Sequence, residues 1–194
     1  LSSKVETTNV SDVSSQVAVA TAFRDELCQR LVDDTSDMAD QFEPLALDSA
    51  AAFRGVVGSM AEQFEKVNLA ATGEDESRYA QYTLGDLRAN LEGGRATYEI
   101  FQPWLLAQEG GDAVDQDILA GFDRVDAFYD GVSGDAIPQV PETWNPDDPS
   151  EADLATDYGQ LWSLLVVEAD PATEGGLVNR MEAAADLLDI PQLP

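Results

Sequence analysis

The chain has 194 residues, of which 38 are Asp or Glu and 10 are Lys or Arg, with no His, for a net charge of −28. A chain of this length buries about 70% of its surface on folding, and 44% apolar residues with three Trp, seven Phe and five Tyr supply a core, which excludes an acidic disordered tail. A surface of this sign repels nucleic acid phosphates and anionic head groups, and no run of about 18 apolar residues is present. Nucleic acid and direct membrane insertion are therefore excluded, and salt cations are the expected counterparts.

Residues 1–11 are small, polar and aperiodic, and read as a flexible lead-in or linker; residues 12–194 read as one helical-bundle domain. Val13, Val17, Ala20, Phe23, Leu27 and Leu31 recur at steps of three and four, which predicts a first helix over 12–33 with these side chains and Cys28 turned inward. Residues 35–42 read as a short helix or turn before Pro44. Asp48 or Ser49 caps a second long helix with Phe53, Val56, Val57, Met60, Phe64 and Val67 inward, ended by Gly73. Thr83 and Asp86 have capping-box spacing and open a third helix carrying Leu84, Leu87, Leu91, Tyr98, Phe101 and Leu105, with Pro103 expected to kink it.

A fourth helix spans 112–130, stopped by Gly131 and Gly134. The segment SGDAIPQVPETWNPDDP holds four prolines and reads as a crossover, with Trp144 as a plug over the bundle end. Ser150 and Asp153 cap a fifth helix with Leu154, Tyr158, Leu161 and Leu165 inward. Asp170 and Pro171 open a sixth that runs through Leu177, Met181, Ala185 and Leu188 to Pro191. No stretch alternates with period two between hairpin signals, so the fold class is all-α: an antiparallel four-helix-bundle-like domain with additional short helices and a Pro-rich crossover.

The two lysines against eight arginines, and 23 Asp against 15 Glu, are the pattern of a protein that works in concentrated salt. Self-repulsion opposes compaction at low ionic strength, and at 1 M salt charges are screened within about 3 Å. The absence of His removes Ser-His-Asp and Cys-His catalysis, HExxH zinc sites, blue-copper centres and His-ligated haem. A single Cys forms no internal disulfide, and neither a nucleotide cradle nor a calcium loop has the required spacing.

At the third helix the sequence becomes specific. The stretch GEDESRYAQYTLGDLRANLEGGRATYEIFQPWLL resembles the segment of imelysin-like and EfeO-type proteins in which G-x-E-x-R-Y-S-x-x-D-L-x-D-F-x-A-N-x-x-G-A leads into a helix ending L-x-P-L-L. Arg78, Tyr79, Leu84, Asp86, Ala89, Asn90, Gly93 or Gly94, and Pro103 take the matching positions. The resemblance implies an all-helical cell-envelope protein, extracellular or at the cell surface, linked to iron uptake and partnered by a metal ion or an envelope protein, and the charge pattern makes a haloarchaeon its expected source. The family's proposed metal motif is G-x-H-x-x-E. The nearest stretch here, AFRDELCQ, has Arg24 in place of the His and Glu26 one position short of the Glu, and a guanidinium has no lone pair with which to ligate. The resemblance then implies a binding or accessory module and not an enzyme, with a structural or protein-interaction bundle as the alternative.

Tyr82, Asp86 and Asn90 fall at i, i+4 and i+8, a polar stripe on one helix face. With Arg78 and Tyr79 in the preceding loop, and Arg24 at the displaced motif, they form the candidate ligand-binding set. The other reading of the stripe is structural, with Asp86 capping its helix and the glycines admitting close packing. No cofactor is required by the sequence. Iron or another cation held by carboxylates alone is the candidate, with Glu62, Glu65, Asp86 and Glu92 as oxygen donors.

Overall fold

The computed structural model describes residues 10–42, 48–74, 77 and 79–192, with side-chain environments from residue 17 onward. The chain divides into two compact units, Leu1–Leu47 and Asp48–Pro194, where the sequence reading placed 12–194 in one domain.

The first unit contains α1, Val10–Phe42, a continuous helix of 33 residues. The expected boundary near residue 33 is absent because no Gly or Pro interrupts the run. Thr35 and Ser36 donate their hydroxyls back to the Leu31 and Val32 carbonyls at 2.7 Å and so continue the helix instead of capping a new one. All described α1 side chains are exposed, Cys28 among them, which corrects its expected burial and that of Phe23, Leu27 and Leu31. The expected linker 1–11 lies outside the described residues except for Val10 and Ser11, which are helical.

The second unit is built from α2 (Ser49–Ala70), α3 (Thr83–Leu105), α4 (Gly111–Gly131), α5 (Glu151–Leu154), α6 (Asp157–Glu168) and α7 (Leu177–Leu187), with no strand among the described residues. The three- and four-residue spacing of apolar side chains gives each long helix one inward face. Phe53, Met60, Leu84, Leu87, Tyr98, Ile118, Phe122, Tyr158, Leu161 and Met181 are fully buried in one cluster, and each such side chain contributes about 2 kcal/mol of hydrophobic transfer energy.

Contacting pairs run in opposite directions along neighbouring helices, so packing is antiparallel. Phe53 meets Phe101 edge-on, and a Cβ at Gly94 would lie 2.6 Å from the Met60 Cε, which joins α2 to α3. Arg95 pairs with Asp123 while Tyr98 reaches Asp115, joining α3 to α4. Arg180 pairs with Asp117 while a Cβ at Gly121 would crowd Leu177, joining α4 to α7. Phe64 packs on Trp162 and the Tyr158 hydroxyl donates to the Val67 carbonyl, joining α2 to α6.

Three local expectations are corrected. The Thr83–Asp86 capping box does not form. Tyr82 is the cap residue without a side-chain bond, and the Leu84 and Gly85 amides donate instead to the Asp135 carbonyl at 2.8 and 3.1 Å. The fifth helix breaks into α5 and α6. Thr156 starts a new cap by accepting the Gly159 amide, and the backbone passes so close that a Cβ at Gly159 would sit 2.1 Å from the Asp153 carbonyl oxygen. Asp170 and Pro171 form a turn, with Asp170 accepting from the Ala172 amide and the Thr173 hydroxyl. The last helix starts only after Gly175, whose φ is 85°. The cap of α2 by Asp48, which accepts the Ala51 amide at 2.7 Å, agrees with expectation.

Candidate functional site

The segment singled out by its motif begins α3. Asp86 is exposed, Tyr82 is half exposed and Asn90 is partly buried, so the stripe lies along the outer side of the helix. The Tyr82 ring lies over its own first turn, with Cε1 2.6 Å from where a Gly85 Cβ would be, and its carbonyl accepts the Asp86 amide. Tyr79 is 95% exposed, and Arg78 lies outside the described residues. Arg24 belongs to α1, in the other compact unit, and its guanidinium is held at 2.6 Å by the adjacent Asp25.

The residue doing most in this segment is one that sequence reasoning missed. Arg88 sends Nη2 to the Tyr129 and Val132 carbonyls at 2.6 and 2.8 Å, and Nη1 to the Gly134 carbonyl and Asp135 carboxylate at 2.8 and 3.0 Å. Those carbonyls end α4, where a helix leaves acceptors unsatisfied and its dipole favours a cation. Together with the Asp135 carbonyl on the Leu84 and Gly85 amides, the start of α3 and the end of α4 clasp each other. The available signal was scarcity: Arg88 is one of ten cationic residues in the chain.

The carboxylates proposed as cation ligands stay apart. Glu62, Glu65, Asp86 and Glu92 are all exposed, and among the described residues no three His, Cys, Asp or Glu side chains group closely enough to hold a metal. Iron or calcium held by oxygen alone needs several converging carboxylates or carbonyls, and Glu62, Glu65, Asp86 and Glu92 do not converge in this way. The buried carboxylates have partners. Asp115 accepts the Tyr98 hydroxyl at 2.6 Å and Gln102 Nε2 at 3.0 Å, while Glu168 takes Arg124 side-on and the Leu177 amide at 2.8 Å. Burial first, and then the Asp115 carboxylate, raises the Tyr98 pKa, so it remains a neutral donor.

The concave surface lies elsewhere. A cleft of about 670 Å³ opens between the end of α4, the crossover and the start of α6. Phe128, Ile137 and Pro138 supply its apolar wall, and Gln139, Thr156 and Gln160 bring polar groups to it. The same crossover residues, Ile137, Pro138 and Gln139, line a second cleft of about 320 Å³ with Gly73 and Gln81. Trp144 anchors the crossover as a plug, half-buried and edge-on to Tyr158 at 4.8 Å and to Trp162 at 5.3 Å. The indole N–H groups of Trp144 and Trp162 are buried without a protein acceptor among the described residues.

No curated protein and no solved structure matches this chain. The family model described as Imelysin, a family named as a peptidase family, matches residues 3–186. That match spans both compact units and nearly the whole sequence, and the all-helical bundle agrees with it: the chain belongs to the imelysin family.

Proposed function

We propose that this chain is a non-catalytic binding or accessory module of the imelysin family, acting at the cell envelope of a halophile, with its link to iron uptake passing through a partner and not through a metal of its own. The observation that carries this reading is the cleft under the crossover. Its volume of about 670 Å³ falls in the range of small-molecule sites, and its lining of apolar and polar residues suits a small, partly apolar ligand. The scattered exposed carboxylates and the position of Arg24 within AFRDELCQ support the absence of a bound ion. The lack of any nucleophile–base pair built on His supports a non-catalytic role.

Thermal-shift screening of the chain in molar KCl against a small-molecule library tests the reading. Compounds that stabilise the wild type and lose their effect in Gly131→Trp, where the backbone faces open space at the cleft, are expected. Compounds whose effect disappears instead in Asp86→Ala would move the ligand to the outer face of α3 and refute the cleft. Incubation with unfolded casein in the same salt is expected to give no cleavage above buffer, and cleavage that co-purifies with the chain would refute the non-catalytic role.

A further inference from the structure

The unit Leu1–Leu47 has a single described element, α1, about 50 Å long at 1.5 Å per residue. Its described side chains are exposed throughout, including Leu27 at 56%, Leu31 at 64% and Met38 at 53%. Most helices in proteins owe their stability to packing an apolar face, and this face has a regular seam. Positions 17, 20, 24, 27, 31, 34, 38 and 41 alternate by three and four, the a and d positions of a coiled coil. Two charged residues interrupt it, Arg24 and Asp34, and they stand five residues to either side of Gln29.

We propose that α1 is a self-association surface whose occupant is α1 of a second copy of this chain, packed antiparallel about a two-fold axis at Gln29. That arrangement sets Leu27 opposite Leu31, Ala20 opposite Met38 and Arg24 opposite Asp34, each twice, so that both seam charges are paired. A parallel pair stacks Arg24 on Arg24 and Asp34 on Asp34 and buries like charges, so charge complementarity fixes the direction. In the single helix both residues have only exposed partners, Asp25 at 2.6 Å from Arg24 and Arg30 at 3.4 Å from Asp34, and such contacts exchange easily. The helix carries seven acidic against two basic side chains, so association strengthens with salt. Cys28, exposed and next to the axis, comes close to its symmetry mate.

Sedimentation of the full chain in molar KCl over a range of protein concentrations is expected to show a monomer–dimer equilibrium. Leu27→Asp combined with Leu31→Asp is expected to abolish the dimer while the α2–α7 bundle still melts cooperatively. Arg24→Asp is expected to weaken the dimer by about tenfold or more by opposing two carboxylates, and adding Asp34→Arg to restore it. Mild oxidation is expected to link the dimer through Cys28, whereas a parallel pair holds these thiols on opposite flanks. A chain that stays monomeric at submillimolar concentration in molar KCl, or a dimer insensitive to Arg24→Asp and its reversal, overturns the proposal.

Discussion

Arg88 shows how one side chain changes the meaning of a motif. It sits in the stretch LGDLRANL, between Asp86 and Asn90, yet its four hydrogen bonds all go to the end of α4 and the turn beyond it. Arg88→Ala is expected to cost about 2–3 kcal/mol, because it strips several partly buried carbonyls of a charged donor at once. Asp86→Ala, on the exposed face, is expected to stay within about 0.5 kcal/mol. Urea unfolding of the two variants in molar KCl measures the difference. Asp153 gives a second residue-scale test. The Thr143 hydroxyl, then the Ser150 hydroxyl, hold its carboxyl below the ordinary value of 3.8, and the Ala172 amide and Thr173 hydroxyl do the same for Asp170. A depressed folded-state pKa stabilises above the unfolded value, and that stability is lost as pH falls through the folded one. The melting temperature is therefore expected to drop as pH falls below about 4, and to drop less steeply in Asp153→Asn with Asp170→Asn. Tyr158, pushed up to about 12 by burial, stays neutral throughout and does not contribute.

At the scale of elements, the inward faces of the bundle were legible because their cause is local. Phe53, Val56, Val57 and Met60, or Leu84, Leu87 and Leu91, need only helical periodicity to be placed, and all seven are buried. What was not legible depends on parts of the chain that meet only after folding. The start of α3 is capped by a carbonyl at Asp135, and the gap between α5 and α6 exists because backbone passes over Gly159. Tyr82, Asp86 and Asn90 were legible as one helix face, but not that the face points outward, and the cleft was not legible because its walls come from α4, the crossover and α6. Gly159→Ala is expected to cost about 1–3 kcal/mol or to shift the α5–α6 junction, since a backbone oxygen stands where the Cβ must go. Gly58→Ala, in the exposed interior of α2 with nothing within 4 Å of its Cβ, is expected to add about 0.5–1 kcal/mol. Thermal melts of the pair separate close packing from simple helix propensity.

For the whole molecule, the ten cations have a distribution that the charge of −28 conceals. Arg54 binds Glu182 and the Ile190 and Pro191 carbonyls, Arg95 binds Asp123 beside the Phe122 ring, and Arg124 binds Glu168. With Arg88 on Asp135 and Arg180 on Asp117, five of the eight arginines tie separate elements of the bundle together. The guanidinium suits this work because its planar fork reaches several acceptors at once, whereas an ammonium acts as a point charge. Asp115 and Asp153 are buried on neutral donors, but most other described carboxylates are exposed, where they repel one another in dilute buffer and are screened in concentrated salt. A circular-dichroism melt is expected to show the helices stable in molar KCl and destabilised in dilute buffer; a melting temperature independent of salt would contradict the halophilic reading. The central claim is that an imelysin-family module handles its ligand in a cleft and holds no ion on its scattered carboxylates. Calorimetric titration of the purified chain with Fe³⁺, Fe²⁺, Cu²⁺ and Ca²⁺ in high salt tests it most directly. Diffuse, weak binding unchanged by Asp86→Ala is the predicted result, and one saturable site abolished by Asp86→Ala would contradict it.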